Sequence, residues 1–189
     1  MIQYQGSPEL HTERLRLRKI RIADTEVMFQ NWLSDERVMR HLIKGPHKTL
    51  DETNVRVEEI TSSYESKDFC YWGMEEKRSG TLIGVIDLFN FDETTEHCEV
   101  GYCIGHDWWN KGYGSEALAA IVEYGFDKMQ IHKISAAHNI DNPASGRIMQ
   151  KVGMIQEGTV RAMIRNAAGE YKDCAIYGLL RETYESFDT

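Results

Sequence analysis

The sequence predicts a single α/β (α+β) domain built on a mixed sheet. Three observations carry this: two amphipathic helical stretches come early, strand-like runs then alternate with helices, and the final third holds two long strand candidates. No internal repeat, low-complexity tract or Pro/Gly/Ser linker divides the chain, so residues 1–189 are read as one domain. A domain of this length buries about 70% of its unfolded surface, enough for a real core.

The elements follow in order. Arg14-Leu15-Arg16-Leu17-Arg18-Lys19-Ile20 alternates polar and apolar residues, as a half-buried strand does. Asp24 is placed to cap a helix over residues 24–42, with Val27, Met28 and Trp32 on nearby turns. Thr49-Leu50-Asp51-Glu52 has the form of a capping box and opens a second helix, where Val57, Ile60 and Tyr64 recur at helical spacing. Residues 71–74 and 81–89 read as strands, residues 92–96 as an acidic loop, and residues 97–104 as a further strand. Residues 115–129 form a helical pattern with Leu118, Ile121, Val122, Gly125 and Met129 near one face. Residues 133–138 are a short strand. Asn142-Pro143 opens another helix, with Asn as N-cap, Pro at the first helical position and Gly153 beyond its end. Residues 154–165 and 171–180 are the two late strands.

Composition excludes several function classes. Apolar residues make up 41% and charged residues 28%, which is ordinary for a globular domain. No window reaches the ~18–20 apolar residues needed to cross a bilayer, so no membrane partner is expected. The start, Met1-Ile2-Gln3-Tyr4-Gln5-Gly6-Ser7-Pro8, lacks the basic and apolar segments of a signal peptide. Cys70, Cys98, Cys103 and Cys174 are too few to staple the chain and form no CxxC, which fits a reduced, cytoplasmic setting. The formal net charge of -8 argues against a nucleic-acid partner and leans toward a cationic or amine-bearing substrate.

The most informative stretch is Trp108-Trp109-Asn110-Lys111-Gly112-Tyr113-Gly114-Ser115, between a strand and a helix. Two glycines one residue apart let the backbone turn sharply and approach a ligand. The helix that follows presents unpaired N–H groups and a positive dipole end, which hold phosphate oxygens without a basic protein. Lys111 adds one local charge. Alone, the pattern reads equally as a tight turn before a helix. Gly112-x-Gly114-x-x-Ala117 also matches the dinucleotide fingerprint formally. Polar and aromatic residues rather than a strand end precede it, however, and no acidic residue ends the next strand to hold a ribose. No GxxxxGK[ST] phosphate loop exists in the chain.

The run from Glu99-Val100-Gly101-Tyr102 through Trp109-Asn110-Lys111-Gly112-Tyr113-Gly114-Ser115-Glu116-Ala117 resembles the acetyl-CoA motif of the GNAT superfamily, and more narrowly its RimJ/RimL branch. Asn142-Pro143-Ala144-Ser145, then Lys151-Val152-Gly153-Met154-Ile155-Gln156-Glu157-Gly158, and then Gly169-Glu170-Tyr171-Lys172-Asp173 continue that branch's pattern in the right order. The likeness covers about residues 12–182. It implies a mixed, mostly antiparallel central sheet flanked by helices, with acetyl-CoA as co-substrate. It further implies that the amides of Asn110, Lys111, Gly112, Tyr113, Gly114 and Ser115 hold the pyrophosphate, with Trp109 also in the cofactor site. The strand edge at Tyr102, Cys103 and Ile104 would pair with the pantetheine arm, and Asn142 and Ser145 would lie near the thioester. Two positions depart from the pattern: Trp109 stands where many members have Arg or Gln, and Met154 where Phe is usual. Neither removes an amide from the cradle.

An amine attacks a thioester only as the free base, so the enzyme must remove a proton, stabilise an oxyanion and protonate a leaving thiolate. Glu99 is the leading base, since the resemblance puts a Glu there, with Glu96 or Asp87 as substitutes; a solvent-facing strand residue is the plain alternative. Ser145, at a helix start, is the candidate acid, or else a capping or cofactor contact. A strand N–H near Tyr102 or Cys103 would serve the oxyanion. Cys103 as an acyl-cysteine nucleophile lacks any activating neighbour and reads better as a buried structural thiol. His97, Cys98, Cys103 and His106 invite a metal site, but strand alternation sends His97 and Cys103 to one face and Cys98 to the other, so no metal is expected. His41, His47, His132 and His138 are isolated, and Tyr71, Trp72, Phe89 and Phe91 read as core. The two early helices form a wall of the acceptor site if the resemblance holds, and pack as ordinary amphipathic helices if it does not.

The function expected is an acetyl-CoA-dependent N-acetyltransferase acting on a primary amine by direct attack in a ternary complex. Among acceptors, a protein N-terminal α-amine, ribosomal proteins included, is favoured by the branch resembled, ahead of polyamines, aminoglycosides and amino-acid-like metabolites. The alternative is a non-catalytic acetyl-CoA sensor on the same fold. Dimers are common among such enzymes, so a homodimer is an admissible partner.

Overall fold

In the computed structural model, which describes residues 1–186, one eight-stranded sheet organises the chain. The strands are β1 (Leu10–His11), β2 (Leu15–Arg18), β3 (Cys70–Glu76), β4 (Leu82–Asp92), β5 (His97–Ile104), β6 (Lys133–Asn139), β7 (Ile155–Arg165) and β8 (Tyr171–Leu180). They lie in the order β1-β2-β3-β4-β5-β6-β8-β7, and every neighbouring pair is antiparallel except β5 with β6. This is the mixed, mostly antiparallel sheet that the sequence predicts.

The helices are α1 (Thr25–Met28), α2 (Glu36–Met39), α3 (Leu50–Ser63), α4 (Tyr113–Glu123), α5 (Pro143–Lys151) and α6 (Arg181–Glu185). A parallel β5–β6 pair needs a crossover, and α4 supplies it. Strand alternation divides the apolar residues between two faces. Ile86, Leu88, Cys98, Val100 and Ile104 bury against Leu118, Ile121 and Val122 of α4. Tyr71 and Val85 bury on the opposite side with Met28, Trp32, Val57 and Ile60 of the early helical segment.

Several local expectations are corrected. The helix expected over residues 24–42 is broken: α1 widens at Phe29–Leu33, where Ser34 N–H reaches back five residues to Phe29 C=O (3.1 Å), and a turn separates it from α2. Asp24 stands at the N-cap position without capping. Its carboxylate instead accepts two bonds from Arg18 (2.8 and 2.9 Å) and one from Arg21 N–H (2.7 Å), because a buried guanidinium is the more demanding partner. The capping box of α3 is shifted: Thr49 accepts from Glu52 N–H, but Glu52 reaches Lys48 N–H (2.7 Å). Asn142 occupies the N-cap of α5 with no side-chain capping bond, while Gly153 takes the left-handed conformation expected after that helix (φ 85°). β4 runs on to Asp92 through a bulge at Asn90 (φ 51°), which shortens the acidic loop to residues 93–96.

Candidate active site

The start of α4 is built as an anion cradle. Asn110 and Gly112 both take positive φ (60° and 85°), turning the chain from β5 into the helix. Among the described residues, no backbone N–H from Asn110 to Ser115 meets an acceptor; the first that does is Glu116 N–H, on Gly112 C=O (3.1 Å). Unpaired donors at a helix start, aligned with its dipole, suit an oxyanion.

A carboxylate sits beside this cradle, which is electrostatically unexpected. Glu116 is neutralised by Arg14, whose Nε and Nη2 both lie 2.6 Å from Oε2 and whose N–H donates to Oε1 (2.7 Å). Arg14 Nη1 also donates to Lys111 C=O (2.9 Å), and its guanidinium stacks over Tyr113, 4.6 Å from the ring centre. Burial pushes the Glu116 carboxyl up, but hydrogen bonds from Thr12 and Arg14 outweigh it and hold the group below its ordinary range. A cleft of about 520 Å³ opens between α4 and α5, lined by Arg14, Gly112, Ser115, Glu116 and Lys151 among others.

The second feature is a parting of strands. Among the described residues, β5 and β6 pair only through His97↔Lys133, Cys98↔Ile134 and Glu99↔Ser135, and beyond this β5 continues to Ile104 with no strand partner on that side. Which backbone groups face the gap follows from parity. Gly105 N–H bonds Ile83 C=O (2.9 Å), so in this regular antiparallel ladder Cys103, Gly101 and Glu99 turn their main-chain groups toward β4. Val100, Tyr102 and Ile104 turn theirs toward the gap. Trp109 Nε1 already holds Ile104 C=O (2.7 Å). Tyr102 is therefore the residue with both main-chain groups turned to the opening, and the backbone of Cys103 is committed elsewhere.

The side chain of Tyr102 spans the opening. Its hydroxyl donates to Ser145 C=O (3.0 Å) and lies 2.8 Å from Ser145 Oγ, and burial pushes the phenol pKa well up. On the opposite face stand Asp87, Glu99 and Cys103. Glu99 Oε1 accepts from Asn90 Nδ2 (3.1 Å), and His97 Nε2 lies 2.8 Å from Ser135 Oγ. Burial, then the nearby charge of Asp87, pushes the Cys103 thiol up to about 12. Elsewhere the loop from α2 to α3 meets the β7–β8 turn: a Cβ on Gly45 would stand 3.1 Å from Ala167 Cβ.

The acetyltransferase (GNAT) domain family matches residues 14–155, most of the chain. The chain belongs to the GNAT acetyltransferase family. It is 29% identical over 174 residues to the uncharacterized N-acetyltransferase YoaA of Bacillus subtilis (strain 168), covering 92% of this chain and 97% of that protein. It is 26% identical over 178 residues to the [ribosomal protein uS5]-alanine N-acetyltransferase of Escherichia coli (strain K12), covering 90% and 89%. The solved GNAT-family acetyltransferase from Bacillus anthracis superposes with a TM-score of 0.82 at 28% identity, covering 93% of this chain and 99% of that one. The resemblance read from the sequence is borne out, and the chain is an acyltransferase of a family that uses acetyl-CoA on amines.

For this GNAT chain the residues fit that co-substrate. Unpaired amides at residues 110–115 suit a pyrophosphate, Lys111 in the turn and Lys151 on the cleft add positive charge while Arg14 offsets Glu116, and the gap edge at Tyr102 suits an amide-bearing arm. Sequence reasoning missed Arg14 and the phenol of Tyr102. Glu116 was the legible signal for Arg14, since a carboxylate in the first turn of an anion-binding helix requires a counter-charge. Among the described residues no helix is long and apolar enough to cross a membrane.

Proposed function

We propose that this enzyme transfers an acetyl group from acetyl-CoA to a primary amine by direct attack within a ternary complex, and that its acceptor is a protein or peptide N-terminal α-amine. The observation that carries the reading is the uninterrupted set of unpaired N–H groups from Asn110 to Ser115, set at one end of a strand edge left open by its neighbour. The pyrophosphate is held by these amides. The arm lies along β5 at Tyr102, whose N–H stabilises the oxyanion. Ser145 Oγ, backed by the Tyr102 phenol, protonates the departing sulfur, and a carboxylate on the opposite face takes the amine proton. Asn142, with its side chain free of capping duty, stands at the same helix start as Ser145.

The α-amine acceptor is supported by the uS5-alanine N-acetyltransferase among the relatives. Calorimetry with acetyl-CoA, followed by thiol release with peptides, a polyamine and an aminoglycoside, tests both parts. Tight binding and turnover on peptides is expected. Absence of binding overturns the cofactor assignment, turnover on the polyamine alone overturns the acceptor, and binding without any turnover favours an acetyl-CoA sensor.

A further inference from the structure

We infer that Asp87, rather than Glu99, takes the proton from the attacking amine, reaching the reaction centre across the bare backbone of Gly101. The inference rests on the transferase reading above. Asp87 and Gly101 are register partners on β4 and β5, with the Asp87 side chain on the face covered by α1 to α3. A Cβ on Gly101 would meet Asp87 Oδ1 at 2.8 Å and Phe89 Cε1 at 3.1 Å. The carboxylate thus lies over the main chain of β5 instead of over its own strand. The next residue along is Tyr102, whose N–H opens into the gap. Glu99 sits one register step earlier, where β5 is still paired to β6 through Glu99↔Ser135, and its Oε1 is held by Asn90. Of the two carboxylates, Asp87 is the one at the point where the strands part.

Its surroundings favour a proton carrier over a structural ion. Tyr71 faces it from β3, Arg56 from α3, and Cys103 and Glu99 from β5, while Cys70 lies behind it on the other face of the sheet. Among the described residues none of these makes a hydrogen bond or ion pair with it. Arg56 acts at a distance, its guanidinium lying over Tyr71 at 5.9 Å from the ring centre. Burial pushes the Asp87 carboxyl up to about 7, with Arg56 opposing in part. A base titrating there accepts a proton from an α-ammonium near ~8 with a deficit of about one unit, against roughly three for an alkyl ammonium near ~10.

The step balances as follows. The ammonium gives one proton to the Asp87 carboxylate, and the freed nitrogen pair forms the C–N bond at the thioester carbonyl. The C–S bond breaks as the tetrahedral adduct collapses, the second surplus proton on nitrogen reaches the departing sulfur through Ser145, and Asp87 returns its proton to water.

The test compares wild type, Asp87→Asn and Glu99→Gln for acetyl-CoA affinity by calorimetry and for kcat/KM against pH with an accepted amine. Asp87→Asn should bind acetyl-CoA as wild type does, lose about 100-fold or more in rate, and lose the acidic limb near pH 7. Glu99→Gln should keep that limb. Gly101→Ala gives an independent variant that retains both carboxylates while displacing Oδ1, and it should show the same loss without loss of acetyl-CoA affinity. An active wild type whose Asp87→Asn variant keeps both rate and limb overturns the role of Asp87 alone. A wild type that binds acetyl-CoA and acetylates no amine overturns the transferase reading, and the role of Asp87 with it.

Discussion

Replacing Gly112 by alanine tests the cradle most directly. Gly112 holds φ at 85°, and a Cβ there would stand 3.2 Å from Arg14 Nη2. Arg14 is poorly able to yield, being fixed by Glu116 at 2.6 Å and by Lys111 C=O at 2.9 Å. An L-residue forced to keep this left-handed geometry costs about 1–2 kcal/mol, which for a domain of this size lowers Tm by roughly 2–8 °C. If the turn relaxes instead, amides leave their common direction, and each charge-assisted bond lost to a phosphate is worth about 1.5–3 kcal/mol. One such loss raises Kd by roughly 10-fold to 150-fold. The control is Gly80→Ala: φ is 69°, and a Cβ there meets nothing within 4 Å. Both variants should melt a few degrees early by scanning calorimetry, and Gly112→Ala alone should weaken acetyl-CoA by about 10-fold or more in titration. Equal acetyl-CoA affinity in both variants, with the expected drop in Tm, would refute the assignment of the pyrophosphate to this turn.

Three further outcomes are expected. Asp24→Ala strips a bidentate partner from Arg18, whose side chain is only 7% exposed; Glu75 remains at 2.6 Å, so the cost should fall near ~3 kcal/mol, or roughly 6–12 °C in Tm, with acetyl-CoA affinity unchanged. Glu116 has a folded pKa held below its ordinary 4.5, so it stabilises the fold above that value and the contribution fades as pH falls through the folded pKa. Thermal melts of wild type and Glu116→Gln should therefore converge as pH drops below 4.5, and a gap independent of pH would contradict the ion pair. Cys103, with its thiol pushed up to about 12, should resist alkylation in the native enzyme at mildly alkaline pH. Cys103→Ala should retain turnover, and acetylated protein found by mass spectrometry after incubation with acetyl-CoA alone would reinstate a covalent route.

Much of the fold is legible because one signal dominates each segment. Residues 97–104 alternate, residues 171–180 hold an apolar run after a polar start, and the observed strands have those bounds. The early helical region was misread because Val27, Met28 and Trp32 mark a buried face without marking where the backbone widens; the wide turn at Phe29–Leu33 leaves that face intact. Caps failed for a different reason. Asp24 has the chemistry of a cap, but its use was decided by Arg18, a contact made in three dimensions.

The same distinction separates Glu99 from Asp87. A period of two assigns both carboxylates to one face of the sheet, and nothing in that period says where β6 leaves β5. The proposed site depends on that departure, because only past the Glu99↔Ser135 pair does β5 offer unpaired main-chain groups on that side. A residue's distance from the chemistry therefore depends on the length of a neighbouring ladder, encoded some 35 residues downstream in the register Glu99↔Ser135. Gly101 was the local clue. A strand glycine signals that something approaches its backbone closely, and here what approaches is the carboxylate of Asp87. Lengthening that ladder by two residue pairs, to Gly101↔Ala137, would engage Tyr102 N–H while leaving every side chain on its present face, and would close the proposed site without altering the pattern by which the strand was recognised.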